Sequence, residues 1–202
     1  MWTAAILAGG SGRRLGGVDK SALTIGDRTI LAHQLSLLTH LTEQILIVTT
    51  DPARFAGLSV RVVRDRLPGS GPLGALQTAL HEARGDRVLV TACDMPFLTI
   101  PFLTHLLTAG EDADATVPRD ARGRHPLCAS YAIRVSASVD RAFAAGDRSV
   151  RAVLDGLRVH EVHGDELAAF GDDRLLTNIN TPEDYTAARA AWPAGFAVDC
   201  AR

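Results

Sequence analysis

Cysteine is scarce in this sequence, and the scarcity excludes several classes of protein. The three cysteines, Cys93, Cys128 and Cys200, are too few for a disulfide framework and show no C-x-x-C spacing for a metal. A reducing, cytoplasmic compartment is the simplest expectation. No basic segment precedes the apolar run 2–8, so we expect no secretory signal. No apolar stretch reaches the roughly 20 residues that a membrane helix requires.

An excess of charge of either sign is also lacking. The formal net charge is −2 over 202 residues, so there is no basic footprint for general nucleic-acid binding. We therefore expect neither nucleic acid nor a membrane as a partner. A hydrophobic fraction of 47% is ordinary for a globular protein, and the length suits one domain. We expect a single domain over residues 1–192, followed by a tail over residues 193–202.

Lysine is almost absent. Of the 21 basic residues, one is a lysine, Lys20, which ends the glycine-rich stretch Leu7–Lys20. Five glycines in this stretch give the backbone freedom to present successive N–H groups to an anion. They are Gly9, Gly10, Gly12, Gly16 and Gly17. Arg13, Arg14 and Lys20 add positive charge, and a lysine ammonium is compact enough to reach between phosphate oxygens. The sequence therefore predicts a phosphate-binding loop; a lone lysine in an arginine-rich sequence is the chance alternative.

The glycine-rich stretch matches neither of the two common nucleotide motifs. A Walker A loop requires Gly-Lys-Ser/Thr, whereas Lys20 follows Asp19. The dinucleotide fingerprint opens a helix directly, whereas here the helical pattern begins only after Thr29. Some 20 residues thus separate the first strand from the first helix, and connections of that length in compact domains are usually functional or disordered. We interpret the stretch as a nucleotide loop of another type.

Strand-like and helix-like segments alternate along the chain, which predicts an α/β fold with a mostly parallel central sheet and helices on both faces. The predicted strands span residues 2–6, 44–49, 60–63, 87–92, 115–117, 127–133, 157–162 and 176–180. The predicted helices begin near residues 29, 73, 101, 136, 150 and 181. The pattern is weakest over residues 146–170.

Asp94 is the best candidate for a metal ligand. It follows the strongest predicted strand, and the carboxyl ends of parallel strands form the ligand edge of an α/β sheet. Carboxylates and phosphate oxygens together hold Mg²⁺, although Asp94 could instead cap the turn at Pro96. Asn178 and Asn180 lie two apart on a predicted strand and so share a face. Asn180 would complete the metal site or hold a phosphate, or the pair would form a turn ahead of the next helix.

Other polar residues suggest sites for the rest of a substrate. Asp65 could accept hydrogen bonds from two adjacent N–H groups of a guanine edge, or pair with Arg64 or Arg66. A basic loop, either a site for a second anionic substrate or solvated surface, comprises Arg119, Arg122, Arg124 and His125. No nucleophile with a partner base is evident. The predicted chemistry is therefore charge stabilisation of phosphoryl transfer, without a covalent intermediate.

Five motifs resemble, in order and spacing, those of the molybdenum cofactor guanylyltransferase family. They are Leu7-Ala-Gly-Gly with Arg14 and Gly-Gly-x-Asp-Lys20; Asp65 before Pro68-Gly-x-Gly-Pro-Leu-Gly74; Cys93-Asp94-Met-Pro; His125-Pro-Leu; and Asn178-Ile-Asn-Thr-Pro-Glu-Asp184. The resemblance covers residues 3–190. The first motif alone marks the wider sugar-nucleotide-type nucleotidyltransferase superfamily, and the combination is more specific.

The resemblance implies a Rossmann-like nucleotidyltransferase fold and transfer of GMP from Mg²⁺-GTP to the terminal phosphate of molybdopterin or the molybdenum cofactor. Mn²⁺ is an alternative metal, and transient contact with cofactor-insertion proteins or molybdoenzymes is allowed. The implied nucleotide-binding residues are Leu7, Ala8, Gly9, Gly10, Lys20, Asp65 and Asp94. The implied catalytic residues are Arg14, Lys20 and Asp94, and Asp94 with Asn180 would hold the metal. The second substrate would meet Arg124, His125, Asn178 and Asn180.

Two departures and three rival interpretations accompany the resemblance. The milder departure is Met-Pro after Asp94 together with Leu15, where the family usually has methionine. The family often ends its second strand with an Asn that contacts GTP, and here that position is Thr49, which is given no such role. A molybdenum cofactor cytidylyltransferase usually carries Ala-Ala-Gly in its first loop, and Gly9-Gly10 favours the larger purine. A sugar-phosphate nucleotidyltransferase needs additional domains, for which the chain leaves little room. Lys20 and Asp94 argue against a non-catalytic nucleotide-binding or cofactor-delivery module.

Overall fold

An eight-stranded sheet and a separate two-stranded ribbon form the framework of the protein. The computed structural model describes residues 1–9 and 20–192. The strands are β1 (Trp2–Leu7), β2 (Thr24–Ile25), β3 (Arg28–Thr29), β4 (Ile45–Thr49), β5 (Arg61–Arg64), β6 (Arg87–Ala92), β7 (Ala115–Asp120), β8 (Gly123–Arg124), β9 (Cys128–Ala132) and β10 (Val159–Val162). The helices are α1 (Ile30–Thr39), α2 (Gly71–Glu82), α3 (Ile100–Thr108), α4 (Ser136–Ala144), α5 (Val150–Asp155), α6 (Gly164–Ala168) and α7 (Pro182–Ala191). Short 3₁₀ turns lie at Lys20–Ala22, Pro52–Phe55 and Ile133–Val135.

The main sheet has a strand order that creates a crevice beside β1. The order is β10-β7-β9-β6-β1-β4-β5, with β8 paired to β7. β1 runs parallel to both β4 and β6, and β9 is antiparallel between β6 and β7. The chain builds β4 and β5 on one side of β1 and then crosses to β6 on the other side. Ligands of open α/β sheets bind at the carboxyl ends of the strands where the order reverses, here between β1 and β6.

Both faces of the sheet are buried, as expected for parallel strands that read as continuous apolar runs. On β1, Ala4 and Ile6 pack into the cluster that includes α1 and α3. Ala5 and Leu7 pack into the opposite cluster, with α2, α4 and α5. The predicted mostly parallel sheet with helices on both faces is therefore confirmed. No helix within residues 1–9 and 20–192 is long and apolar enough to cross a membrane.

The predicted strand at residues 176–180 is wrong. Residue 176 ends a turn, and residues 177–180 have no regular secondary structure and pair with no strand among the described residues. Thr177 N–H closes a turn onto the Arg174 carbonyl, and Ile179 N–H donates to the Asp94 carbonyl at 2.9 Å, which belongs to a turn. Further elements escaped prediction: the five-residue helix α6, the β2–β3 ribbon that occupies part of the connection after the glycine-rich stretch, and the short strand β8, which pairs with β7 within the predicted basic loop. The predicted tail at residues 193–202 lies outside the described residues.

Candidate active site

Four predicted side chains meet at the switch point of the sheet. Lys20, from a 3₁₀ turn, lies beside Asp94, which directly follows β6 and Cys93. Asn178 and Asn180 approach from the irregular segment 177–180 ahead of α7. Although 160 residues separate the most distant pair in the sequence, their polar atoms form one chain of hydrogen bonds. The structure thus joins residues that the sequence could only nominate one by one.

Asp94 is held by side chains from two other elements. Its Oδ2 accepts from Lys20 Nζ at 2.8 Å, and its Oδ1 accepts from Asn178 Nδ2 at 2.9 Å. The residue is 9% exposed. A carboxylate with so little exposure requires hydrogen-bonding or charged partners. Among the described residues no backbone N–H of the following turn donates to the Asp94 carboxylate, so the alternative interpretation, a cap of the turn at Pro96, is not observed.

The ammonium group of Lys20 occupies a position that two side-chain oxygens make suitable for a cation. Its ammonium donates to Asp94 Oδ2 and also to Asn180 Oδ1, at 2.7 Å. Lysine can only donate, so the amide oxygen of Asn180 must face it. A carboxylate oxygen and an amide oxygen are ligands that suit Mg²⁺, which takes one or two carboxylates and completes its shell with phosphate and water. The chemistry of this donor pair therefore fits a divalent cation brought in with a polyphosphate.

The two asparagines are aimed at the site by their backbone. Ile179, between them, is fully buried and its N–H is fixed on Asp94, so its neighbours point the other way. The next residue, Thr181, begins α7 with a capping box: its hydroxyl accepts from Asp184 N–H, and Asp184 Oδ2 accepts from the N–H groups of Asn180 and Thr181, each at 2.9 Å. The Asn180 N–H is the main reason that the pKa of Asp184 lies below its usual value. The predicted helix start is confirmed.

The ends of β1, β4 and β5 form the other side of the crevice. Leu7 and Ala8 are 7% and 4% exposed, so backbone atoms are what they can offer a ligand. Thr49 is buried, and its hydroxyl donates to the Ala8 carbonyl at 3.3 Å. A β-carbon at Gly9 would come no closer than 4.0 Å to Thr50 Cγ2. Gly10 and Arg14 of the predicted site lie outside the described residues.

Asp65 is buried at the end of β5. Its Oδ1 accepts from Leu67 N–H at 2.9 Å and lies 3.2 Å from the Thr78 hydroxyl. Its backbone N–H donates to the Thr49 carbonyl at 2.7 Å. The neighbouring Arg66 pairs with Glu82 instead, so the alternative of an Asp65–Arg66 ion pair is not observed. One carboxylate oxygen of Asp65 thus shapes the loop, and Oδ2 takes no hydrogen bond from the residues that the structure describes.

The predicted basic loop is neutralised by carboxylates. Arg124 contacts Glu161 at 2.6 Å and Asp155 at 2.7 Å. His125 Nε2 lies 2.9 Å from Asp120 Oδ1. Burial raises the pKa of Asp120, but hydrogen bonds from Arg122 and His125 outweigh that and lower it to about 2. Across the described ranges no hydrogen bond or ion pair joins Arg124 or His125 to Asp94, although both precede β9, whose first residue is paired with β6.

A cavity of about 550 Å³ lies beside this loop. It is bounded by the end of β7, by α6 and by the segment 171–176 that leads into Asn178. The lining residues are Arg119, Asp120, Ala121, His163, Gly164, Leu167, Ala168, Gly171, Asp172, Asp173, Leu175 and Leu176. Arg124 and His125 are not among them. The cavity is within the size range of small-molecule sites and has both apolar and charged walls.

Sequence reasoning missed Gln34, which is 1% exposed on α1. It lies on the apolar stripe formed by Leu31, Leu35 and Leu38, and a polar residue in such a stripe is the signal that could have revealed it. The thiol of Cys93, just before Asp94, is buried in the hydrophobic core. Burial raises its pKa to about 12, so it is no nucleophile at neutral pH.

A doubly wound sheet with a lysine, a carboxylate and an amide oxygen at its switch point suits a nucleotide with a divalent cation, and the class of the protein is that of the nucleotidyltransferases. The family follows from comparison with known proteins: the MobA-like NTP transferase domain matches residues 4–163. The chain belongs to this family. It is 38% identical over 190 residues to the molybdenum cofactor guanylyltransferase of Cereibacter sphaeroides, covering 92% of this chain and 94% of the relative. A probable molybdenum cofactor guanylyltransferase of Methanothermobacter thermautotrophicus is 34% identical, with coverages of 89% and 95%.

Solved structures share the fold. The molybdopterin-guanine dinucleotide biosynthesis protein A of Archaeoglobus fulgidus superposes with a TM-score of 0.77 and 27% identity, covering 93% of this chain and 97% of that one. The 2-C-methyl-D-erythritol 4-phosphate cytidylyltransferase of Thermus thermophilus gives a TM-score of 0.68 at 17% identity, covering 94% and 98%. The second likeness concerns the fold alone.

Proposed function

We propose that this enzyme is a molybdenum cofactor guanylyltransferase, which transfers GMP from GTP to the terminal phosphate of molybdopterin or of the molybdenum cofactor. The observation that carries nucleotidyl transfer is the convergence of Lys20, Asp94 and Asn180 at the switch point of the sheet. The guanine and pterin specificity is supported by the names of relatives that match this chain over nearly its whole length.

The reaction is an in-line displacement at the α-phosphorus. A terminal phosphate oxygen of the acceptor forms the new P–O bond, the bond to the β-phosphate bridge breaks, and pyrophosphate leaves with that electron pair. Negative charge grows on the oxygens around phosphorus, and positive groups placed there stabilise the transition state more than the ground state. Lys20 has this role in the proposal. Arg14, outside the described residues, is proposed for the same role on the strength of its place in the glycine-rich stretch.

Asp94 and Asn180 would hold Mg²⁺, with Mn²⁺ as an alternative, together with phosphate oxygens of the nucleotide. The support for this assignment is that both side chains already present an oxygen to one cationic atom. The bound metal would neutralise charge on the triphosphate and the leaving pyrophosphate. Asn178 donates to the other Asp94 oxygen and so sets the orientation of the carboxylate.

The guanine nucleotide is proposed to lie over the ends of β1, β4 and β5. Leu7, Ala8, Gly9 and Gly10 would approach it with their backbone, because the first two side chains are buried in the core. Asp65 would accept from the guanine edge with Oδ2, since its Oδ1 is already engaged with Leu67 and Thr78.

The second substrate is proposed to enter from the other side of Asp94. The 550 Å³ cavity is lined by residues of the segment 171–176, which precedes Asn178 and Asn180 in the chain, and these two asparagines would meet the terminal phosphate. Arg124 and His125 would act at this site indirectly, because they pair with Glu161 and Asp120 and so fix the position of these carboxylates. The finished dinucleotide would leave through this cavity, and transient contact with a cofactor-insertion protein or a molybdoenzyme would occur there.

The direct test is a transfer assay with purified protein, molybdopterin and Mg²⁺, supplied in turn with GTP, CTP, ATP or UTP. We expect pyrophosphate release and the mass of the guanine dinucleotide with GTP, and loss of both in Asp94→Asn. Arg134→Met serves as the matched control, because Arg134 forms an exposed ion pair with Asp114 away from these residues. Preference for CTP would replace the proposal with the cytidylyltransferase, and GTP binding without pyrophosphate release would indicate a non-catalytic module.

A further inference from the structure

The buried amide of Gln34 uses all of its principal hydrogen-bonding groups on one turn. Its Nε2 donates to the Ala92 carbonyl at 2.8 Å and to the Met95 carbonyl at 2.9 Å. Its Oε1 lies 3.3 Å from the Thr91 hydroxyl, which donates to it. Burying an amide is unfavourable unless its hydrogen bonds are replaced, and here they are. The residue is therefore placed for a specific contact, although apolar side chains surround it.

The two carbonyls bracket the candidate metal ligand. Ala92 ends β6, Cys93 and Asp94 follow, and Met95 completes the turn. The same turn is fixed on one side by Cys93 N–H on the Leu7 carbonyl at 3.2 Å and on the other by Ile179 N–H on the Asp94 carbonyl. Gln34 supplies the third attachment, across the two residues whose backbone sets the direction of the Asp94 side chain.

This attachment also links Asp94 to the element that carries Lys20. Helix α1 begins ten residues after Lys20, and the Ile30 N–H bonds back to the Leu23 carbonyl at 2.9 Å. Gln34 thus joins the Lys20 turn and its helix to the turn that presents Asp94. The 2.8 Å contact between Lys20 Nζ and Asp94 Oδ2 depends on the relative position of these two elements.

We propose that Gln34 is a positioning residue for Asp94: it holds the turn after β6 at the height that lets Asp94 and Asn180 bind the metal–nucleotide complex. The inference rests on the proposed function of Asp94. Displacement of a catalytic group by about 1 Å can lower a rate about 100-fold. Loss of the Gln34 hydrogen bonds therefore lowers the rate of the chemical step and the affinity for the metal. It has much less effect on binding of the guanine end of the nucleotide, which is proposed to contact other strands.

The test compares three variants of the full chain. Gln34→Met keeps the length of the side chain and removes its hydrogen bonds. Thr91→Val removes the bond that orients the amide and is the milder change. Thr116→Val is the control. Thr116 is fully buried and donates to the Ala109 carbonyl at 2.8 Å, and it lies near the amino end of β7, whereas the candidate site lies at the carboxyl ends of the parallel strands. The measurements are kcat, KM for GTP, melting temperature, and the Kd of Mn²⁺ from its electron paramagnetic resonance signal in the presence of a non-hydrolysable GTP analogue.

We expect Gln34→Met to lower kcat about 10- to 100-fold and to raise the Mn²⁺ Kd at least fivefold, with KM for GTP within about threefold. Thr91→Val should lower kcat about threefold, and Thr116→Val should leave kcat and the Mn²⁺ Kd unchanged. An unchanged kcat in folded Gln34→Met, or equal losses in Thr116→Val, would overturn the inference. If Gln34→Met does not fold, Thr91→Val decides in the same way. A wild type without GMP transfer would refute the proposed function, and the Mn²⁺ Kd alone would then decide whether Gln34 positions Asp94.

Discussion

Replacing Lys20 with Met separates the catalytic contribution of its ammonium from its structural contribution. At 2.8 Å, and with an effective dielectric constant of about 20, the attraction to Asp94 is of order 6 kcal/mol before desolvation is subtracted. The two side chains are only 16% and 13% exposed, so the free energy of removing both charges from water offsets much of this attraction. Asn178 Nδ2 still donates to the carboxylate in the variant. We expect Lys20→Met to lower the free energy of unfolding by about 2–3 kcal/mol, because Asp94 loses its charged partner but keeps this hydrogen bond.

The effect on catalysis should be larger. In the proposed reaction Lys20 contacts charge that develops on the phosphate oxygens, and removal of one such group typically costs about 10²–10³ in rate, or about 3–4 kcal/mol. Loss of the charge also weakens triphosphate binding. We therefore expect kcat/KM for GTP to fall about 1,000-fold. Urea unfolding measures the first quantity, and continuous detection of pyrophosphate release measures the second.

The control is Arg134→Met, which removes a cation of comparable size from an ion pair with Asp114 in which the Arg134 side chain is 53% exposed. We expect it to change stability by less than about 1 kcal/mol and to leave kcat/KM unaltered. The reasoning about Lys20 is refuted if Lys20→Met retains more than a tenth of kcat/KM. It is equally refuted if the loss of activity only follows the loss of folded protein.

Three further predictions concern substrate affinity and stability. Thr78→Val removes the hydroxyl that lies 3.2 Å from Asp65 Oδ1 and accepts from Arg66 N–H, and should raise KM for GTP about three- to tenfold at nearly constant kcat. Gly26→Ala should lower the free energy of unfolding by about 1–3 kcal/mol in urea, because φ is +62° and a β-carbon would lie 2.5 Å from Trp192 Nε1. Burial, aided by the charge of Arg28, lowers the pKa of His33 to about 4. The unfolded chain then binds more protons below the ordinary pKa, so stability should fall by about 2 kcal/mol between pH 7 and pH 5.

Each of these three has its own contrary result. An unchanged KM in Thr78→Val would mean that the hydroxyl does not position Asp65. A Gly26→Ala variant as stable as the wild type would mean that Trp192 can move aside without cost. For His33, the slope of stability against pH should become shallower in His33→Asn; an identical slope would assign the pH dependence to other groups.

The parts of the site that the sequence predicted are those fixed by strand ends. Asp94 follows the strongly apolar strand β6, and Lys20 ends the glycine-rich stretch that follows the apolar strand β1. Parallel strands bring their carboxyl ends to one edge, so sheet geometry places Asp94, after β6, beside the end of β1 from which the glycine-rich stretch continues. The start of α7 at Thr181 could also be predicted from the sequence, because a capping box involves only four consecutive residues.

The parts that were not predicted depend on contacts distant in sequence. Residues 176–180 carry the alternation of an extended chain, but whether an extended segment finds a ladder partner is decided elsewhere in the fold. Helix α6 has five residues, too few for a helical period to show. Gln34 stands out in the sequence only as a polar residue within the apolar stripe of α1, and its partners, which lie more than 50 residues away around the turn after β6, cannot be read from that pattern. Arg124 is neutralised by two carboxylates, Glu161 and Asp155, and each lies more than 30 residues away from it in the sequence.

Nucleotide selectivity tests the central claim most directly. GTP, CTP, ATP and UTP, each with Mg²⁺, would be titrated into the purified wild type and into Lys20→Met, with Kd as the measured quantity. The account predicts that GTP binds at least tenfold more tightly than the other three, and that Lys20→Met weakens GTP binding at least tenfold. Equal affinity for all four nucleotides, tighter binding of CTP, or an unchanged Kd for GTP in Lys20→Met would contradict it.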